Sequence, residues 1–432
     1  MSFDAPENVN YAATIVKLPE PQAVPGLDNL VGIPMFGYQA LTQKDSAKAG
    51  DLRVLFVAET QLDHEYASAN NLYREATLNA DSTQTGYLEQ NARVKAIRLR
   101  KNQSDCLLMP LESLAYTGYD VSTLKVGDTF DKLNGHVVCR KYVPAGQRTA
   151  GSVAGAPKIR QRVDQKLFPM HLDTEHLFRN LQWFRKPRHV VITQKLHGTS
   201  WRGGNVPVRR DKGRLERLVN RLGIKTPDTE YEHVFGSRRV VKGKSTDNHY
   251  YESDLWTDYG QKLLGLIPKN FMVYGELIGW VDDQSPIQKG YTYNLLPGTA
   301  ELYVYRVATV NEDGVIADLS WEGVKDFCRS LGLKWTPELW AGIECVPQSV
   351  DDESFVSGYQ LDYLDVRFTE SPGAEHFNEA PVPLSNAKTV DEGICVRIEG
   401  QIPRVFKAKS PKFLEHETKA LDNNEVDLEA AA

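Results

Sequence analysis

The stretch TQKLHGTSW, residues 193–201, follows the apolar run HVVI on a segment with the composition of a β-strand. It sets a lysine at the end of a buried strand, then a histidine, a glycine and two hydroxyls. A strand-end lysine ordinarily points to water. A lysine amine becomes a nucleophile only when neutral, which burial or a nearby cation brings about. Residues i and i+2 of a strand share a face, so Lys195 and His197 are expected to point the same way. Gly198 would let the backbone approach a ligand closely. On so short a match the ordinary reading of Lys195 is the better one. Its partners elsewhere in the chain reverse that.

VYGELIGW (273–280) places Glu276 on a strand between two glycines. DEGICVRIEG (391–400) sets Glu392 and Gly393 ahead of a strand. VFKAKSPKF (405–413) sets Lys407 and Lys409 two apart, hence on one face. FGSRRVV (235–241) supplies Arg238, and ELYVYRV (301–307) carries Tyr303 and Tyr305 on alternating positions. Singly, each has an ordinary reading as turn acid, solvated strand face or core aromatic. Together they match what nucleotidyl transfer needs: a lysine nucleophile, two carboxylates for a divalent metal, two lysines for phosphate and a stacking aromatic. Metal and lysines would neutralise charge that builds on the α-phosphate and on departing pyrophosphate.

The remaining chain sets limits. Its 432 residues allow two or three domains. With 41% hydrophobic and 25% charged residues it has an ordinary globular composition. The net charge of −6 means that any basic surface is local. No apolar run reaches membrane-spanning length, and the N-terminus lacks the pattern of a secretion signal. Five scattered cysteines without a C-x-x-C pair argue against a zinc site or disulfide framework and suit a reducing cytoplasm.

Residues 11–145 carry short β-rich runs (YAATIVKL, DLRVLFVA, ARVKAIRLR, GHVVCRKYV) that fit a small barrel or sandwich. EYASANNLYREA between them suits a short helix or an ordered loop. PAGQRTAGSVAGAPK (144–158) has linker composition. KLFPMHLDTEHLFRNLQWF (166–184) predicts an amphipathic helix. From 188 onward strands alternate with helices such as SDLWTDYGQKLLGLI and WEGVKDFCRSLG, suggesting a large α+β domain with antiparallel sheets. RRDKGRLERLVNRLGIK (209–225) predicts a basic helix with a Leu215, Leu218, Leu222 stripe. It would either cover core or track a nucleic-acid backbone.

The order of these motifs resembles the covalent nucleotidyltransferase superfamily of ATP-dependent ligases and capping enzymes. KLHG is similar to its first motif, K-x-D-G, followed by SRR, VYGELIG, LYVYRV, DEGICVR and FKAK, over about 188–416. His197 departs from the usual Asp, and K-x-H-G-T is a variant found among RNA ligases. Only 23 residues follow Lys409, too few for a C-terminal OB domain. A β-rich domain precedes the motifs instead, which resembles the Deinococcus-type RNA ligase. The resemblance implies an N-terminal OB-like β-barrel (1–145), a linker (146–165), an adenylyltransferase domain with antiparallel sheets (166–420) and an acidic tail (421–432), with insertions at 206–232 and 340–385.

It further implies ATP and Mg²⁺ or Mn²⁺ as cofactors, Lys195 as nucleophile and Glu392 as metal ligand. Glu276 would contact ribose or metal water, and Arg238 ribose or a 5′-phosphate. Tyr305 would stack on adenine, with Tyr303 as second choice. Gln194, His197 and Gly198 would line the nucleotide, and Lys407 and Lys409 would hold the α-phosphate. The expected partner is nucleic acid with 5′-phosphate and 3′-OH ends, as in nicked or broken RNA, acted on by a monomer away from membranes. DNA sealing, or nucleic-acid binding without catalysis, are the competing readings.

Overall fold

The computed structural model describes residues 4–144, 163–210, 212–238, 241–242, 255–365, 384 and 390–423. It is a mixed α/β fold with mainly antiparallel sheets. From Arg188 onward the chain builds two of them. One runs Glu175–His176, Arg404–Lys409, Gly393–Ile398, Arg188–Lys195, Glu338–Glu344. The other centres on Thr229–Gly236, Thr199–Arg209, Phe271–Gly279 and Ala300–Val310. Each strand foreseen here forms, because its β-branched and aromatic residues alternate at period two. The two turn-linked strands Arg188–Lys195 and Thr199–Arg209 pass from one sheet to the other through Leu196–Gly198.

Packing follows from that alternation. Val190, Ile192, Ile394, Val396, Phe406 and Ala408 bury one face of the first sheet against Leu177, Phe184 and Phe355. Val191 on its other face joins Trp201, Val273, Leu277 and Val304 of the second sheet, under helices Leu255–Lys262 and Trp321–Leu331. The buried indoles there are satisfied reciprocally: Trp201 Nε1 donates to Trp256 O at 3.1 Å and Trp256 Nε1 to Ser200 O at 3.0 Å.

One expectation changes. The segment 166–184 is not an α-helix. Glu175–His176 pairs in parallel with Phe406–Lys407, and two 3₁₀ turns follow, Leu177–Arg179 and Leu181–Phe184. The Asn180 amide donates to His176 O at 2.9 Å, competing with helical propagation. Residues 206–232 are the arms of a hairpin, with helix Arg214–Arg221 at its tip. The leucine stripe of that helix faces solvent: Leu215 is 79% and Leu222 74% exposed. Residues 340–385 begin in the edge strand Glu338–Glu344 and continue in helix Asp352–Tyr359.

The N-terminal region, 1–145, is β-rich, as its composition suggests, but no sheet closes into a barrel among the described residues. Thr129–Phe130, Ala13–Lys17, Leu52–Val57 and Cys106–Pro110 form one sheet, and Gln22–Ala23, Leu30–Met35 and Tyr38–Gln43 a second. Left-handed Glu59 (φ 67°) turns the chain after Leu52–Val57 and hands Thr60–Leu62 to a third sheet with Cys139–Lys141. A short helix, His64–Ala69, is capped by Asp63, which accepts from Glu65 N. Residues 145–162 of the expected linker lie outside the described residues. So does the tail from 424, while helix Pro411–Asp422 carries order into the region read as tail.

Candidate active site

The register of three neighbouring strands builds the site. Lys195 pairs with Gly393 and Gly393 with Lys409, so the two lysines flank a glycine in one row. One row along, Thr193 pairs with Cys395 and Cys395 with Lys407. Alternation puts both rows on one face. Gly393 is needed between the lysines: its φ is +150° and a Cβ would lie 2.1 Å from Ala408 O.

Glu392 is the electrostatic centre. Its side chain is 2% exposed and Oε2 lies 2.8 Å from Lys195 Nζ and 3.4 Å from His197 Nδ1. Oε1 is 3.9 Å from Lys409 Nζ. Burial alone would raise this carboxyl. Lys195, His197 and Lys409 outweigh burial and hold it well below the usual carboxylate range. Lys195 and His197 thus reach the same oxygen, as the i, i+2 spacing led us to expect, although the strand itself ends at Lys195. The Cys395 thiol lies on the floor, pushed up to about 11 by burial, with Lys195 and Lys407 opposing and Glu392 and Glu276 adding to the rise.

Glu276 is buried on Phe271–Gly279, and its Oε1 accepts from Gly198 N at 3.1 Å. Gln288 Nε2 donates to Gly198 O at 2.9 Å. Both polar groups of this peptide turn are therefore gripped. A Cβ on Gly198 would lie 2.1 Å from Leu277 O. Gly198→Ala should force the two strands apart, costing roughly 2–3 kcal/mol in urea unfolding and disturbing the Glu276 contact. An alanine variant as stable as wild type would contradict this.

Four other foreseen residues lie outside the Lys195–Gly393–Lys409 row. Gln194 alternates to the face opposite Lys195. Its amide donates to Asp391 Oδ1 at 3.3 Å and to Leu384 O, tying the Lys195 strand to the segment before Glu392. Tyr303 is enclosed by packing with Leu196, Tyr291, Tyr293 and Phe413. Tyr305 falls at a β-bulge, where the register shifts between Tyr274 and Gly275, and its hydroxyl bonds His171 Nδ1 at 2.5 Å. Arg238 follows the end of strand Thr229–Gly236 and meets the exposed Asp173 at 3.3 Å.

Tyr293 escaped sequence reasoning. Its hydroxyl accepts from His197 N at 2.7 Å, and it and Asn294 hold left-handed φ of 50° and 58°. Tyr291 and Phe413 box the His197 ring edge-on, with centroids at 4.7 and 5.1 Å. The loop's YTYN offers no motif; only the strained backbone points to function. Among the described residues no group of three or more His, Cys, Asp or Glu is placed to hold a metal alone. A metal here would take further ligands from phosphate and water, as Mg²⁺ commonly does. A buried carboxylate ringed by cations suits a polyphosphate with a divalent ion, so the residues fit both.

A family model described as RNA ligase matches residues 188–409. No curated protein matches the sequence. Solved structures of Naegleria gruberi RNA ligase are similar in fold. A variant with ATP and Mn has a TM-score of 0.57 and 16% identity, covering 95% of this chain and 98% of that one. An apo form reaches 0.58 with 16% identity, covering 94% and 98%. A form with AMP and Mn reaches 0.57 at 16% identity, with the same coverage as the apo form.

Proposed function

The chain belongs to the RNA ligase family, and from that premise we propose that it joins RNA 3′-OH and 5′-phosphate ends by way of AMP carried on Lys195. ATP and a divalent metal are the cofactors that the Naegleria structures hold. The observation that carries the reading is Lys195, 2.8 Å from buried Glu392 and in one row with Lys409.

In that site Glu392 pairs with Lys195 at 2.8 Å, and a lysine is nucleophilic only as the neutral amine. Attack requires the proton to leave and Glu392 to turn to another cation. A bound divalent metal would supply that positive charge and stabilise charge on the phosphates. The Lys195 amine then forms an N–P bond to the α-phosphate while the α–β P–O bond breaks and pyrophosphate departs. Lys409, in the Lys195 row, and Lys407, one row along on the same face, hold the α-phosphate. Glu276, anchored on Gly198 N, contacts ribose or metal water, and Arg238 receives ribose or a 5′-phosphate. Tyr305, partly exposed, is the aromatic available for stacking, since Tyr303 is enclosed. AMP passes next to a 5′-phosphate, and a 3′-OH displaces it.

The natural substrate is nicked or broken RNA in a repair role, handled by a monomer. Residues 1–145 are an OB-like module that grips it, and 166–420 is the adenylyltransferase domain. The arginines of helix Arg214–Arg221 contribute to backbone contact. All five cysteines are free thiols, which supports a reducing compartment such as the cytoplasm. No described helix is long and apolar enough to cross a membrane.

The test is direct. Label from α-labelled ATP stays on the denatured chain, whereas γ-label does not. A nicked RNA duplex is then sealed faster than the same nick in DNA. Sealing of DNA alone would replace this reading with DNA ligation, and absence of any covalent label would leave a binding protein.

A further inference from the structure

Lys409 has a partner outside every motif. Its Nζ lies 2.8 Å from both carboxylate oxygens of Glu417, on the helix Pro411–Asp422 that begins two residues later. Ser410 caps that helix, accepting from Phe413 N at 3.1 Å, and Pro411 starts it. The cap sets the angle at which the helix leaves the strand and returns Glu417 over Lys409.

The helix is also the surface on which the N-terminal region docks. Thr418 Oγ1 donates to Glu59 Oε1 at 2.7 Å and accepts from Ala96 N at 3.0 Å. Arg93 Nη2 donates to Thr418 O at 3.2 Å, and Arg93 Nη1 lies 3.2 Å from Glu59 Oε2. Arg98 pairs with Glu415 at 2.6 Å and Lys95 with Asp422 at 2.8 Å. Leu414 packs on Ala58 and Ala96. The residue after Glu417 is thus bolted to the N-terminal region on buried bonds. Arg93 and Glu59 are both almost wholly buried, so removing either would strand the other.

We propose that Glu417 is a positioning residue: it holds Lys409 off Glu392 and aims it at the α-phosphate, and the N-terminal region sets its place through Thr418. An ammonium has three donors. Glu417 occupies the rear of Lys409, leaving a donor toward the row shared with Lys195. Burial opposes a charged Lys409; Glu417, Tyr11 and Glu392 override it and keep it an ammonium. Without Glu417 the nearest carboxylate is Glu392, 3.9 Å away, and Lys409 would close on it. The inference rests on the nucleotide reading of the site.

Metal-free calorimetry with adenosine and with AMP isolates the phosphate contact. In Glu417→Gln, AMP affinity should fall about tenfold, the scale of one charge-assisted bond, while adenosine affinity stays as in wild type. Glu417→Asp should recover part of the loss, and Thr418→Ala should show a smaller loss of the same AMP-only kind. Equal losses for both ligands, no loss, or tighter AMP binding in Glu417→Gln would overturn the positioning role. A wild-type chain that binds neither ligand would overturn the nucleotide reading, and this inference with it.

Discussion

Lys195→Ala should leave no covalent label after incubation with α-labelled ATP and Mg²⁺, a loss of at least ~10⁴-fold in adenylylation. In the proposed reaction the amine is the group that forms the N–P bond, and alanine offers no substitute. No second described lysine shares the geometry: Lys409 is held by Glu417, and Lys407 lies one row away beside Cys395. The variant should keep the last step. A strand supplied with a pre-adenylylated 5′ end no longer needs the lysine, so sealing of that substrate should persist. Label surviving on the variant, or equal loss on both substrates, would show that Lys195 is not the nucleophile.

Glu392→Gln should lower adenylylation by at least ~10²-fold at pH 7, because a neutral amide cannot take up a divalent cation or organise the surrounding positive groups. It should also unfold more easily, by about 3 kcal/mol, since three cationic or ionisable groups lose a buried counter-charge. The pH dependence distinguishes this from simple misfolding. Glu392 is held well below the usual carboxylate range in the folded chain. Its contribution is therefore full above the unfolded value of ~4.3 and is lost as pH falls toward the folded one. The stability gap between wild type and variant should shrink below pH ~4 in urea unfolding. A gap independent of pH would mean that the carboxylate is not held by these cations.

Much of the site was legible because strand alternation is a local rule. The spacing of Lys407 and Lys409, the position of Glu392 before its strand and the glycine after His197 all carried into the structure unchanged. The same rule, applied strictly, would have put Gln194 on the opposite face. Tyr305 was harder, since a bulge is a single extra residue that no periodicity announces. The helix foreseen at 166–184 failed for a related reason: its apolar residues recur every three or four positions, which suits 3₁₀ turns as well as an α-helix, and the parallel bridge at Glu175–His176 decided between them.

Residue order alone singles out Lys195, Glu276, Glu392, Lys407 and Lys409 as the candidates proposed above, because each is a chemical type at a spacing that strands preserve. Folding decided what those groups touch. Lys195 meets Glu392 across 197 positions of chain, and Thr418 meets Glu59 across 359. Such contacts depend on which strands pair and on the N-terminal region that holds the last helix in place. Neither leaves a local pattern, since a carboxylate on a helix looks the same whether it faces water or a buried lysine.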